Sequence, residues 1–197
     1  MKRLPLFLLT AYIAFFIVLG THPYSRSVWI AENTPIFLIV IFLTAIHLKH
    51  FRFSNTAILM MSVLIFMHTV GGHYTFERVP FDWFDKLFGF KRNMYDRVAH
   101  FSVGFYAYAF MEYLERRKMV NARWVGYFSS LCLIISVAAV YEMMEWAYAV
   151  TSDPASGNAF LGSQGDIWDA QKDMFMDTFG AVTALVFYRI INRKKTS

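Results

Sequence analysis

The sequence has little of what a soluble or secreted fold depends on. Charged residues make up 17% of its 197 residues, against about 25% in soluble proteins. The single cysteine, Cys132, excludes an internal disulfide, and no low-complexity tract or convincing repeat is present. Apolar residues are abundant instead, with 57% hydrophobic and 19% aromatic residues. A soluble fold of this length cannot bury so much apolar surface, whereas a bilayer solvates it, so an integral membrane protein is predicted.

Six segments approach the length of a membrane-spanning helix, which needs about 20 mostly apolar residues. They cover residues 4–20, 29–48, 56–70, 98–114, 124–150 and 174–191. The second and fifth are interrupted by Glu32, Glu142 and Glu145. The predicted fold is therefore all-α, a polytopic transmembrane bundle of about six helices that forms a single domain over residues 1–197. Its expected surroundings are the lipid bilayer of the cell inner membrane.

The first segment also fits a cleaved signal peptide. Lys2 and Arg3 precede its apolar run, and Val18-Leu19-Gly20 would be a tolerable cleavage site. Cleavage would leave five crossings. The orientation of the later helices would be the same in both cases.

The net charge of +5 comes from short Lys and Arg clusters between the apolar runs, which is typical of topology signals rather than of a nucleic-acid surface. Positive loops favour the cytoplasm. One side holds Lys2, Arg3, Lys49, Arg52, Arg116, Arg117, Lys118, Arg123, Arg189, Arg193, Lys194 and Lys195; the other holds Arg26, Arg78, Lys86, Lys91, Arg92, Arg97 and Lys172. Both termini are therefore predicted to be cytoplasmic. The two long connections, 71–96 and 151–172, are predicted to face outward along the membrane interface.

Ionisable residues gather at one predicted depth of the membrane, near the outer leaflet. They are His68, His73, Asp96, His100, Glu142, Glu145, Asp169, Asp173 and Asp177. Intervals of three or four residues put such groups on one helix face, as for Asp96 and His100. Four helices can thus direct carboxylates and imidazoles into one pocket. Ionisable groups inside a membrane are by default functional candidates.

Facing helices that carry carboxylates and histidines are typical of metal sites in the core of a helix bundle. All nine residues are candidate ligands for a divalent ion, and oxygen and imidazole donors suit Zn, Mn, Fe or Mg. Such an ion would offset the repulsion among the carboxylates and activate a water or a phosphate oxygen. The residues predicted to be catalytic are Asp96, His100, Glu142, Asp173 and Asp177.

A structural interpretation stays open for part of this set. Asp96 could be the N-cap of the fourth segment, and Asp169 or Asp173 could begin the sixth in the same way. Capping explains neither Asp177, which lies deeper, nor Glu142 and Glu145, which lie where the helix dipole disfavours an acid. Glu32 and Asn33 could join the pocket or be solvated at the interface.

At these residues the chain resembles the YjdF-like family of small bacterial inner-membrane proteins, whose function is unknown. The matching stretches are HTVGGHYTFERVP, RNMYDRVAHFSVGF, YEMMEW and FLGSQGDIWDAQKDMFMDTFGA. A weaker similarity is to VanZ-like membrane proteins, which are associated with glycopeptide resistance. Its outline falls on Asp96, Arg97, His100, Phe101, Glu142, Asp173, Asp177, Gly180 and Ala181. The additional His68 and His73 depart from that outline. Neither resemblance implies a reaction, but both imply that these polar positions matter together.

Three functions fit the sequence. The first is a metal-dependent enzyme that acts on a lipid-linked or envelope substrate at the outer leaflet. The second is a cation or proton transporter that uses the same cluster; it would need a polar route, whereas the inner halves of the segments are almost entirely apolar. The third is an assembly or scaffold protein whose polar cluster only locks the bundle. The oligomeric state is not predicted.

Overall fold

The computed structural model describes residues 3–193, which fold into helices without any strand in that range. Their bounds are α1 Arg3–Gly20, α2 Arg26–Lys49, α3 Asn55–Tyr74, α4 Asp82–Phe88, α5 Tyr95–Val103, α6 Tyr106–Arg116, α7 Arg123–Thr151, α8 Pro154–Leu161 and α9 Asp169–Ile191. Five of these helices, α1, α2, α3, α7 and α9, are long and apolar enough to cross a membrane. The all-α transmembrane fold predicted from hydropathy is thereby confirmed.

The fourth predicted span, 98–114, is two helices rather than one. Between α5 and α6 the backbone hydrogen bonds join residues three apart instead of four. Phe105 N donates to Ser102 O (3.1 Å), and Ala107 N donates to Gly104 O (3.0 Å). Such a 3₁₀ turn narrows the helix without reversing the chain. Both halves pack on α9 and α3, so α5 and α6 together complete a bundle of about six spans.

Two glycines account for the close packing of α5 on α9. A Cβ atom on Gly180 would lie 1.9 Å from the carbonyl oxygen of Phe101, and one on Gly104 would lie 2.1 Å from the amide nitrogen of Ala181. No larger residue fits at either position. Small residues let transmembrane helices approach backbone to backbone. This crossing fixes the relative position of the polar residues that α5 and α9 carry.

Several boundaries differ from those predicted. Helix α3 continues through Gly71 and Gly72 to Tyr74. Helix α9 begins at Asp169, so Asp169, Asp173 and Asp177 lie in its first turns. A Cβ atom on Gly72 would lie 2.6 Å from the amide nitrogen of Asn33 and 3.1 Å from Cβ of Glu32. Gly72 therefore lets α2 come close to α3. The two long connections contain the short helices α4 and α8.

Directly below the Gly104–Gly180 crossing the packing between the helices is mainly apolar. Ala107, Met111, Ile134, Ala181 and Ala184 are almost completely buried there. Six traverses bring the described chain ends to one end of the bundle, opposite the long connections. Which end faces the cytoplasm stays a prediction from the charge count, and Lys2, Lys194 and Lys195 lie outside the described residues.

Candidate metal centre

Asp96 and His100 on α5 meet Asp173 and Asp177 on α9, just above the glycine crossing. All four side chains are buried, Asp177 to 1% exposure. The intervals of four residues predicted from the sequence explain this meeting, because each pair lies on the face of its helix that the crossing presses together. The sequence prediction that these four residues share one site agrees with their positions.

His100 lies between the carboxylates, and its two nitrogens have different partners. Nδ1 is 3.2 Å and 3.3 Å from the two carboxylate oxygens of Asp177. A carboxylate only accepts hydrogen bonds, so Nδ1–H donates to Asp177. The other nitrogen, Nε2, lies 3.6 Å from Asp96 Oδ1 and 3.7 Å from Asp173 Oδ1. With the ring proton on Nδ1, the lone pair of Nε2 lies on the side of those two carboxylates.

This arrangement has the dimensions of a metal site. Asp96, His100 and Asp173 can each offer one ligand atom, and these atoms lie within 4.8 Å of one another. Donors about 2.1 Å from a tetrahedral zinc ion are about 3.4 Å apart, close to the separations around Nε2. Asp177 then takes the place of the outer carboxylate that orients a ligating histidine in many metal proteins.

Arg97 connects the cluster to the long connections. Its guanidinium contacts Asp173 and Asp169 and lies 3.7 Å from Asp96 Oδ2, although it is only 3% exposed. Further out, Arg92 contacts Asp169 at 2.7 Å. Asp169 therefore belongs to an outer ion-pair network and does not point at His100.

The same network joins the two connections to each other. Lys172 Nζ donates to Asp166 Oδ2 at 2.6 Å, and this hydrogen bond lowers the pKa of the Asp166 carboxyl below its ordinary value. Asn93 N donates to Gln164 Oε1 (2.9 Å), while Gln164 Nε2 donates to Asn93 O (3.0 Å). The connections thus hold each other in place over the outer end of α5 and α9.

A second polar group lies across a cavity from His100. His68 Nε2 lies 3.0 Å from Glu32 Oε2 and 3.1 Å from the Glu32 carbonyl oxygen. The Tyr141 hydroxyl donates to Glu32 Oε2 at 3.2 Å. Glu32 is 1% exposed, so this pair is deep in the bundle. Of the two alternatives left open for Glu32, the structure supports the one in which it joins the pocket.

The cavity between these groups has a volume of about 90 Å³. Its polar lining comes from Glu32, His68, Asp96, His100, Tyr141, Glu145 and Asp177. Glu142 lies outside this lining. Its carboxyl group interacts electrostatically with Asp96, His100, Asp173 and Asp177, and its Oε1 has no hydrogen-bond partner among residues 3–193. Seven of the nine predicted site residues thus lie in or beside one pocket: His68, Asp96, His100, Glu142, Glu145, Asp173 and Asp177.

His73 is the other residue that the structure sets apart. Its Nδ1 bonds the carbonyl oxygen of Leu19 at 2.7 Å, so it ties the end of α3 to the end of α1.

The interpretation of Asp96, Asp169 or Asp173 as N-cap residues is also wrong. Helix α5 has Met94 and α9 has Trp168 at the N-cap. Near the start of α5, Asn93 Oδ1 accepts from Tyr95 N at 2.9 Å.

Sequence reasoning did not select Arg97 and Tyr141 as site residues. Arg97 follows Asp96 at the start of an apolar segment, where an unpaired cation would be costly, and that position signals a buried acidic partner. Tyr141 precedes Glu145 by one helical repeat, which signals a shared face.

Residues 4–194 match the family of predicted membrane proteins designated DUF2238. The chain belongs to this family. It is also 34% identical over 192 residues to the inner membrane protein YjdF of Escherichia coli (strain K12), a match that covers 93% of this chain and 89% of that protein.

Membership of the DUF2238 family confirms the resemblance to YjdF-like proteins and the multi-pass location in the inner membrane. The similarity to VanZ-like proteins is not shown by these matches and stays a prediction. No solved structure matches the chain.

Proposed function

We propose that this protein is a metal-dependent membrane enzyme that acts on a lipid-linked or envelope substrate at the end of the bundle with the long connections. Asp96, His100 and Asp173 would hold one divalent ion of the Zn, Mn, Fe or Mg class, and Asp177 would orient His100. The observation that carries the proposal is the position of His100 Nε2, which lies 3.6 Å and 3.7 Å from carboxylate oxygens on two helices.

The charges around His100 favour a cation. Asp96, Asp173 and Asp177 lie within 3.7 Å of the His100 ring nitrogens, and Glu142 interacts electrostatically with the same imidazole. Arg97 is the cation that contacts Asp96 and Asp173. Taking uncompensated carboxylates out of water is costly. A bound divalent ion would offset that cost, and it would leave coordination positions for a water or a substrate oxygen, as in catalytic zinc sites.

Transport through the bundle is less well supported. The Gly104–Gly180 crossing brings backbones together directly below the cluster. Beyond this crossing, the interior of the described part of the bundle contains the buried apolar residues Ala107, Met111 and Ala184. An ion at His100 would find apolar side chains in that direction. Enzymatic chemistry needs only one open side.

Metal analysis of the purified protein tests the proposal. After removal of metal and titration with Zn²⁺ and Mn²⁺, we expect about one ion per chain in a site of this kind. His100→Ala and Asp173→Asn should lose that ion, since each removes a ligand. His73→Ala is the matched control for His100→Ala, because His73 bonds α1 rather than the cluster.

Two results would contradict the proposal. One is wild-type protein that binds neither metal. The other is equal loss of metal in His73→Ala and His100→Ala at equal folded fractions, which would indicate a general loss of structure and favour a purely structural cluster.

A further inference from the structure

The cavity beside His100 has an apolar rim and a polar floor. The floor consists of the carboxylates and imidazoles of Glu32, His68, Asp96, His100 and Asp177, whereas Ile39, Val137, Ala138 and Leu161 line the rim. The rim residues come from α2, α7 and α8, and the floor residues come from α2, α3, α5 and α9. A ligand that fills both parts needs one polar and one apolar portion.

The rim reaches the outer surface of the bundle between α2 and α7. Val137 lines the cavity and yet is 47% exposed, and Pro35 and Ile39 on α2 are half-buried. Helix α2 packs mainly on α3 and α8, and α7 packs mainly on α6, α8 and α9. The Tyr141–Glu32 hydrogen bond connects α2 and α7 at the polar floor. The opening therefore lies between two neighbouring spans that each pack mainly on other helices.

Both helices that flank this opening carry an outer face that contacts lipid. Phe37, Leu38 and Ile41 on α2 and Val140 and Met144 on α7 are large apolar residues with more than half of their surface exposed. Because α2 and α7 cross the membrane, that exposed surface contacts hydrocarbon rather than water. A molecule that enters through the opening comes from the bilayer.

Helix α8 closes the cavity toward the long connections. Phe160, Leu161 and Gly162 line the cavity, and the Phe160 ring packs on Tyr148 of α7 with centroids 4.3 Å apart. Asp153 Oδ1 accepts from the amides of Ala155 and Ser156 at the helix start. Helix α8 thus covers the cavity on the side of the aqueous phase.

We propose that the ligand of this cavity is a bilayer lipid that enters sideways between α2 and α7, beneath α8. Its hydrocarbon chain occupies the apolar rim, and its polar head lies against the carboxylate–histidine floor. The inference rests on the proposed function insofar as it names the substrate class of that same site.

Photo-crosslinking in vesicles tests the inference. The probe is a phosphatidylglycerol with a diazirine midway along one acyl chain, mixed into phosphatidylethanolamine and phosphatidylglycerol, and labelled residues are mapped by mass spectrometry. We expect strong labelling at Ile39, Ala138 and Leu161, above that of Val182 and Val186, which lie on the exposed face of α9. Ala138→Phe should reduce the cavity labels to the level of those α9 residues.

Val140→Phe is the matched control, since it adds a ring to the lipid-facing side of the same helix and should leave the cavity labels unchanged. Val137→Trp narrows the opening from its exposed edge, so it gives a second variant that does not depend on fitting a ring into the core. Cavity labels equal to those of α9 in the wild type, or unchanged in both Ala138→Phe and Val137→Trp, would overturn the inference.

Metal content measured on the same samples separates this proposal from the metal proposal. Ala138→Phe leaves Asp96, His100 and Asp173 in place and should keep its ion while losing the lipid label. Cavity labelling without any metal would refute the metal proposal and support lipid entry. Metal binding with labelling only on the outer surface would support the metal proposal and refute lipid entry.

Discussion

Both ends of the bundle contain buried carboxylates, but the two ends hold them differently. At the end opposite the long connections, Glu112 Oε1 accepts from Ser54 N (2.9 Å) and Oε2 accepts from Ser54 Oγ (2.7 Å), and Arg116 pairs with the same side chain. Glu115 accepts from Tyr188 and pairs with Arg123 at 2.8 Å. Each acid there has a cation and hydroxyl or amide donors of its own.

At the end with the long connections, two acids lack such donors among residues 3–193. The nearest ionic partners of Asp96 there are His100 at 3.6 Å and Arg97 at 3.7 Å, and Glu142 Oε1 has no hydrogen-bond partner. A cavity adjoins this cluster. A fully bonded cluster stabilises a fold, whereas an under-bonded one beside a cavity costs stability and is typical of a binding site.

Gly180→Ala should impair both the stability of the fold and the binding site, so that the two ends of the bundle no longer differ. The new methyl group would meet the Phe101 carbonyl, so α5 and α9 must separate, at a cost of about 3 kcal/mol in the free energy of unfolding. Asp177 would move away from His100, and metal binding should fall as well. Thermal unfolding in detergent measures the first effect and metal titration the second.

Gly20→Ala is the control for that substitution. Its Cβ atom would lie 3.5 Å from the nearest atom, on the Trp29 ring, which is an ordinary contact. Equal destabilisation by the two alanines would contradict the importance of the α5–α9 crossing.

Glu112→Ala should destabilise the fold and leave the metal site intact. The substitution removes the acceptor of Ser54, which caps α3, and a hydrogen bond to a charged group contributes about 2 kcal/mol. Chemical unfolding followed by circular dichroism gives the stability. A loss of metal from the folded fraction would show that the two ends are not independent.

Asp96→Asn should have the opposite pattern. The change removes one negative charge from beside Asp173 and Asp177, so the free energy of unfolding should change by less than about 1 kcal/mol or increase. Metal affinity should fall strongly because a ligand is lost. A destabilisation as large as that of Glu112→Ala would contradict the assignment of this end as a binding site.

The smallest expected effect is a pH dependence of the connections. Because Lys172 lowers the pKa of Asp166 below 3.8, the stabilisation is present above that value and is lost as the pH falls through the lowered pKa. The protection factors for hydrogen exchange in residues 162–168, calculated against the intrinsic exchange rate at each pH, should fall on such acidification. Lys172→Met should exchange faster already at neutral pH and change less with acid; identical profiles would refute the link.

Hydropathy predicted the spans well, because a bilayer imposes length and apolarity on each helix separately. Residue spacing predicted the meeting of Asp96, His100, Asp173 and Asp177 for the same local reason. The break after α5 was missed, since it depends on contact with Gly180 from a distant segment.

The misplaced residues have geometric explanations. His68 and His73 differ by five positions, about 140° around a helix, so only one of them can face the pocket. Asp169 lies eight residues before Asp177, about 12 Å along the axis, and therefore cannot share one ion with it. The prediction placed these residues together because they lie at a similar depth in the membrane. Their angular positions around the helix and their distances along its axis separate them.

X-ray absorption spectroscopy of the metal-loaded protein tests the central claim most directly. The account predicts a first shell of oxygen and nitrogen donors with the multiple scattering of one imidazole, in the wild type and in His73→Ala alike, whereas His100→Ala should retain no metal in this site. A shell without imidazole, or one that is unchanged in His100→Ala, would contradict the assignment of this cluster as the metal centre.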